Sequence, residues 1–338
     1  MLGIYDHLSP GLASEVCLMA TIVASFEEAS RVMQDRGVHI DAKRICELSR
    51  RYARRAEFAK QNSSVLEAES LAGRRVVIST DGGRIRIRKK KRGPKTEKGR
   101  HRYTTKWREP KLLIVYTVNA KGEKDASFMP VIEGTMKGPD AVFGLIKFYL
   151  KQLAITKAEK ILFVADGARW IWNRVPELVK ALGIAISQFY TLVDFFHAVE
   201  HLVKIADLRS GWKKSERNNW VKKHRRLLLD GKIKEVIVSI RTICRGRKSK
   251  KLTTEKNYFE RNQSRMKYHA ISTIGLPIGS GAMESAIRRV VNLRLKGASI
   301  YWLEETAEAM LLLRSFYKAG RWDMLNRHAY STCYVQIA

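Results

Sequence analysis

The sequence predicts an α/β fold, and three observations carry that prediction. Strand-like alternation dominates from about residue 75, strands and helices then alternate to about residue 193, and 45% hydrophobic content over 338 residues can fill one large core or two smaller ones. Taken in order, the opening MLGIYDHLSPGLASEVCLMATIVASF has an apolar middle but no basic flank, and Asp6 and Glu15 interrupt it. It is a poor secretory signal, and a cytoplasmic protein is expected. Ser25 to about Lys60 has helical spacing broken at Asp35-Arg36-Gly37. Phe26, Ala29, Val32 and Met33 line a first short helix, and Asp41 can cap a second whose Ile45, Leu48 and Tyr52 repeat at helical spacing. The second helix carries Lys43, Arg44, Arg50, Arg51, Arg54 and Arg55, so the pair suits a helix-turn-helix reader of DNA as well as an ordinary hairpin with a solvated basic face.

After Gln61-Asn62-Ser63-Ser64 the period becomes that of strands: Arg75 to Thr80, Arg84 to Lys89, Lys111 to Val118, and a segment near Phe128 to Ile132, predicting a sheet of at least three strands. A helix from about Pro139 to Leu153 leads into the apolar strand Ile161 to Ala165. A further helix through Pro176 to Leu182 precedes the strand around Ile184 to Val193. From Phe195 to about Tyr268 everything reads as helix or basic loop. LPIGSG then breaks the pattern before a helix opening near Ala282 and another from about Leu303 to Tyr317. The resulting division is an N-terminal helical segment, 1–70, a core in two parts, 71–200 and 271–338, and a helical stretch, 201–270, between those parts.

Charge is the strongest compositional signal. Sixty-four Lys and Arg against 33 Asp and Glu leave +31, which implies a polyanionic partner, with nucleic acid the natural candidate. No run approaches the roughly 20 apolar residues needed to span a bilayer, so no membrane partner is expected. Cys17, Cys46, Cys244 and Cys333 show no metal-ligand spacing, which fits a reducing compartment. From Arg84 to Arg108, nearly every second residue is Lys or Arg and Glu97 is the only acid. With Gly93, Pro94 and Gly99 inside it, the run is expected to be a flexible phosphate-binding loop, led by Arg84, Arg86, Arg88, Lys89, Lys90, Lys91 and Arg92.

Three carboxylates stand out. Asp81 ends a strand, although Asp81-Gly82 between two strand-like runs also suits a hairpin turn. Asp166 follows the strand Ile161 to Ala165, at the carboxyl edge where ligand-binding residues of α/β folds collect, or where an Asp simply caps a helix. Glu284 falls at the edge of the stripe Met283, Ile287, Val290 and Val291, toward the packed side, and alone would pair with Arg288. Together such carboxylates can hold two Mg²⁺ ions about 4 Å apart for in-line displacement at a phosphodiester.

The strings VVISTDGGRIRIRKKKRGP, ILFVADGARWIWN, YTLVDFFHAVEHL, YFERNQSRMKYHA and LPIGSGAMESAIRRVVNLRLKG resemble bacterial insertion-sequence transposases of the ISKra type, members of the DDE group. The resemblance runs from about Pro10 to Asp323, and GSGAMES followed by a basic helix is its most specific element. Gly297-Ala-Ser-Ile-Tyr-Trp302 departs from the family's Gly-Met-x-Trp pattern. The resemblance implies an RNase H-like mixed sheet flanked by helices and interrupted by an all-helical insertion. It implies a catalytic and metal-binding triad of Asp81, Asp166 and Glu284 with two Mg²⁺, for which Mn²⁺ can substitute. Asp194 and His197 would be the Asp-x-x-His pair shared with Mutator-like and hAT-like transposases, bracing the site without ligating metal. DNA contacts are expected from the basic run, from Lys43 and Arg44, and from Arg288, Arg289, Arg294 and Lys296. The expected partners are element ends and target DNA, in a homodimer or higher synaptic complex associated with the nucleoid.

Three other functions compete. His197-Ala-Val-Glu200-His201 matches H-x-x-E-H, the helical zinc site of some metallopeptidases. A non-catalytic DNA-binding regulator or transposase relic would use the Ser25 to Lys60 helices alone. A structure-specific nuclease would cut without joining.

Overall fold

The computed structural model describes residues 8–62, 69–97, 99 and 101–330. Met1 to His7, the Ser63-Ser64 pair and Cys333 lie outside them.

The central strand, β1, is Arg75–Gly82; its Val76 to Thr80 are buried without exception, which both faces of an interior strand require. Four more strands of the main sheet follow: β4 (Lys111–Val118), β5 (Val131–Thr135), β6 (Lys160–Ala165) and β7 (Phe189–Val193), in the spatial order β5-β4-β1-β6-β7. The strands β4 and β5 add antiparallel on one side of β1, β6 and β7 parallel on the other. Every residue of β4 and β5 is buried, so both faces of the sheet are covered. Helix α4 (Pro139–Gln152) packs along β4 and β5 and against α6 (Val175–Leu182), which follows the single turn α5 (Arg169–Trp172). The expected helix from Pro139 and the strand Ile161 to Ala165 are found within a residue of their boundaries.

Two segments depart from the expected sheet. Arg84 to Lys89 does not join it: β2 (Ile85–Lys90) pairs along its length with β3 (Tyr103–Arg108), forming a separate antiparallel ribbon. The flanks of the basic run therefore form a paired two-stranded arm, 85–90 with 103–108, rather than loop throughout, and Asp81-Gly82 is no hairpin turn but the end of β1, paired to β4. The ribbon is anchored because Ile85 and Ile87 bury one side of β2, while the Arg88 N–H donates to the Trp302 carbonyl and the Trp302 N–H to that of Arg86. Burial of two alternate apolar residues outweighs the surrounding charge.

The opening segment, weighed above as a secretory signal, forms a core helix, α1 (Pro10–Ile22), capped by Ser9. With α2 (Phe26–Asp35), α3 (Ala42–Asn62), α13 (Glu304–Ala319) and α14 (Trp322–Ala329) it builds a helical layer, in which α13 packs along β5. The Asp41 carboxylate accepts from the Arg44 N–H at 2.8 Å, as its capping position requires. Helix α3 is a 21-residue pillar packed against α1, α2, α13 and α14, and Arg50 and Arg54 both pair with Glu305 of α13. Between β7 and the helix carrying Glu284 the chain is all helical: α7 (Phe195–Asp207), α8 (Lys214–Leu229), α9 (Ile233–Cys244), α10 (Lys250–Asn262) and α11 (Tyr268–Thr273). Helix α12 (Gly281–Ile287) then packs on β1 and β4 and continues as a π-helical turn, Arg288–Asn292. Among the described residues no helix is long and apolar enough to cross a membrane.

Candidate active site

The sheet's register aligns three aspartates. Ile78 of β1 lies beside Phe163 of β6, and Ala165 of β6 beside Val193 of β7. Because these strands are parallel, carrying the register past their ends brings Asp81, Asp166 and Asp194 into one row at a common carboxyl edge. The Asp194 N–H donates to the Ala165 carbonyl at 2.8 Å, which fixes the second step of that row. Such an edge is where α/β sheets collect reactive groups, since loops diverge there and leave a crevice.

Asp81 is held half-buried, its Oδ1 accepting from the Gly82 N–H at 2.6 Å. Burial pushes its carboxyl up to about 6 and the Asp166 charge adds to this, against the opposing Gly82 hydrogen bond and the His197 and Lys111 charges. Lys111 itself is buried, donates to Glu109 at 2.7 Å and lies over the Trp170 ring. Asp166 accepts from the Ala168 N–H at 3.0 Å, and the Trp172 indole donates to its carbonyl at 2.6 Å. Helix α10 closes over this loop: a Cβ at Gly167 would meet the Tyr258 ring at 2.3 Å and the Asn262 amide at 2.8 Å. Only glycine permits that approach.

Asp194 is fully buried and caps α7, its Oδ1 accepting from the His197 N–H at 2.8 Å while Oδ2 accepts from the Ser280 N–H. The Phe195 N–H also donates to the Ile278 carbonyl at 3.1 Å. The sheet edge is thus tied directly to the Gly279-Ser280-Gly281 turn that launches α12. A Cβ at Gly279 would stand 2.7 Å from the Phe196 ring, so this turn too needs glycine. Burial alone would raise the Asp194 carboxyl, but its hydrogen bonds from His197 and Ser280 outweigh that and hold it down at about 2. His197 Nδ1 lies 3.3 Å from Asp194 Oδ1, off the line of a good hydrogen bond but close enough to form an ion pair, and Asp194 lifts the imidazole to about 9.

Glu284 is exposed rather than turned to the packed side, and no described cation pairs with it, Arg288 included. One group of His, Cys, Asp or Glu side chains among the described residues is compact enough to share a cation: Asp194, His197 and Glu284, with ligand atoms all within 4.8 Å. Within it Asp194 already accepts hydrogen bonds on both oxygens, and His197 is held against Asp194. The carboxylate of the group that accepts no hydrogen bond among the described residues is Glu284. Asp81 and Asp166 do not fall within that single-ion group, and stand beside it as electrostatic neighbours of each other and of His197. Carboxylate oxygens on two strand ends and a helix are the hard donors that Mg²⁺ takes. His201 goes elsewhere: its Nδ1 pairs with Glu255 and its ring stacks on Tyr258 at 3.6 Å.

The basic residues divide. Arg84, Arg88, Lys89, Lys90, Lys91 and Arg92 of the ribbon are exposed, as are Lys43, Arg288 and Lys296. Arg86 is instead half-buried, donating to Gly297 and lying 4.6 Å from the Tyr301 ring. Arg289 donates back to the Ser285 carbonyl at 3.4 Å. Arg294, expected to contact DNA, is buried between Phe26 and Trp302, where loss of water lowers it to about 10; it is a packing residue. Tyr258 and Asn262 were not singled out from the sequence, although their i, i+4 spacing marks one helix face. No protein-family model matches the chain, and no curated protein matches it.

Proposed function

We propose that the chain is a DDE-type DNA transposase that cuts and joins phosphodiester bonds at the carboxyl edge of its sheet. The observation that carries this reading is the aspartate row beside Glu284, in a chain of +31 whose basic ribbon springs from the end of β1, next to Asp81. The strand order, three antiparallel strands continued by two parallel ones on the far side of β1, supports reading the sheet as an RNase H-like core. In that frame Asp81 lies on the first strand, Asp166 follows the fourth, and α7 to α11 are a helical insertion before the Glu284 helix.

Asp81, Asp166 and Glu284 would hold two Mg²⁺, or Mn²⁺ in their place, and when bound these would stabilise the attacking and leaving oxygens of an in-line displacement. The protein's own groups do the rest. Asp81, half-buried beside a second carboxylate, supplies negative charge that a bound cation would stabilise. Asp194 joins α7 to Ser280 and so keeps the Glu284 helix against the sheet edge; His197 supports it from the first turn of α7. The ribbon's cations offer phosphate contacts that hold DNA without reading its sequence.

The direct test is incubation with DNA carrying the native element's ends and Mn²⁺, with cut and joined strands mapped. Cleavage with strand transfer supports the proposal, cleavage without joining makes the chain a nuclease, and binding without cleavage leaves a DNA-binding regulator. His197→Ala should reduce cleavage more than His201→Ala, because only His197 belongs to the Asp194 brace. Equal losses together with loss of tightly held zinc would instead favour a peptidase.

A further inference from the structure

The ribbon has a face that charge alone does not explain. Its register sets Arg86 opposite Trp107, Arg88 opposite Thr105 and Lys90 opposite Tyr103, so these six side chains share one side. Trp107 and Tyr103 are 50% and 47% exposed, two open rings on the same side of one strand. Arg84 and Arg86 lie 5.4 and 5.5 Å from the Trp107 ring, and Tyr103 leans on Tyr301 at 5.8 Å. Both rings are held in place with half their surface left open. Toward the tip, a groove of about 1180 Å³ is lined by Arg88, Lys90, Lys91, His101, Arg102 and Tyr103, with Glu97 the only acid among its described lining residues.

We infer that this face binds an unpaired nucleic-acid strand, with bases stacked on Trp107 and Tyr103 and the backbone along the ribbon's cations. The inference rests on the nucleic-acid reading above and adds the strandedness of what the ribbon holds. A phosphate-binding arm needs Lys and Arg but no exposed rings. Rings interleaved with cations are what a single strand requires, because its bases have free faces, whereas those of a duplex are covered by their neighbours. The two rings are four residues apart along one strand, about 13 Å, a span of roughly four nucleotides at the stacked spacing of about 3.4 Å.

The test uses the full chain and two fluorescent probes, a 20-nucleotide oligo-dT strand and a 20-base-pair duplex, titrated at several salt concentrations. Replacing Tyr103 and Trp107 together by Ala should weaken oligo-dT binding by at least about tenfold, since each ring is a face on which a base stacks. Duplex binding should change less than about twofold, and the salt slope should hold because no charge is removed. The Tyr103→Phe/Trp107→Phe pair should bind the strand nearly as wild type. The Tyr103→Leu/Trp107→Leu pair, which keeps apolar bulk without a ring, should fail like Ala, and thermal melting checks that each variant is folded. Equal loss on strand and duplex, no loss on the strand, or Leu binding like Phe overturns the inference, as does a wild type that binds neither probe. It fails separately from the catalytic proposal. Strand binding that depends on the rings, without cleavage in Mg²⁺, keeps the ribbon and ends the transposase. Cleavage with ring-independent strand binding does the reverse.

Discussion

The β2–β3 ribbon and the helical layer around α3 and α13 are both rich in Lys and Arg, yet they dispose of the charge in opposite ways. In the helical layer cations serve as internal fasteners. Arg314 is buried and donates to the Val290, Thr21 and Arg289 carbonyls, joining α1 to the π-helical turn. Arg321 makes a two-pronged pair with Glu69 at 2.8 Å and donates to the Pro130 carbonyl at 3.0 Å. Lys60 is buried against Glu133, which also accepts from the Tyr149 hydroxyl. On the ribbon, Arg88, Lys89, Lys90 and Lys91 form no ion pair with a described acid and face water. A net charge of +31 is thus a poor guide to a ligand until the interior cations are set aside; among those left over, one set lines an arm beside the aspartate row and another the surface of α8 to α10.

If the contrast is right, the largest stability effects belong to the helical layer. Lys60→Ala should lower unfolding free energy by about 3–5 kcal/mol, because it strands the buried Glu133 carboxylate. Replacing Lys60 by Met and Glu133 by Gln together should cost less. Urea denaturation measures both, and a Lys60→Ala loss below about 1 kcal/mol would break the contrast.

A second interior effect is set by pH. His328 is buried, and burial, helped by the Lys60 and Arg327 charges, lowers its imidazole to about 4 from 6.5. Below pH 6.5 the unfolded chain therefore binds a proton that the folded chain refuses, so stability falls as pH drops from about 6.5 to 4 and this contribution levels off beneath. The full window is worth about 3 kcal/mol. His328→Phe should remove this component from the pH profile of the urea midpoint; an unchanged acid limb would locate the loss elsewhere.

The smallest stability effect belongs to the ribbon. Neutralising Arg88, Lys89, Lys90 and Lys91 should shift unfolding by less than about 0.5 kcal/mol for each site. It should nonetheless weaken binding to all DNAs alike, flattening the log–log salt slope by about one unit per lost phosphate contact. An unchanged slope would show that these cations, exposed as they are, touch no phosphate.

Legibility in the sequence follows the same division. The strand Ile161 to Ala165, the helix from Pro139 and the all-helical stretch after Phe195 were readable because apolar period and caps are local signals. The placement of Asp81 and Asp166 at strand ends was readable too; their alignment with Asp194 was not, since register is set by pairing across the sheet. Exposure of individual cations was also hidden. Arg294 and Arg288 sit in one basic run, yet the first is covered by Phe26 and Trp302 and the second is not. The ribbon's departure from the main sheet depended on Trp302, more than two hundred residues downstream of Ile87.

The measurement that tests the catalytic proposal most directly is Mg²⁺-dependent DNA cleavage by Asp81→Ala, Asp166→Ala and Glu284→Ala, each alone and all combined, beside DNA binding at fixed salt. Residues that act as one metal-holding unit lose nearly as much singly as together. Each single variant should therefore fall close to the triple variant, while DNA binding survives or tightens slightly as negative charge is removed. A single variant that cleaves at near the wild-type rate would show that its carboxylate holds no metal, and the triad assignment would fall.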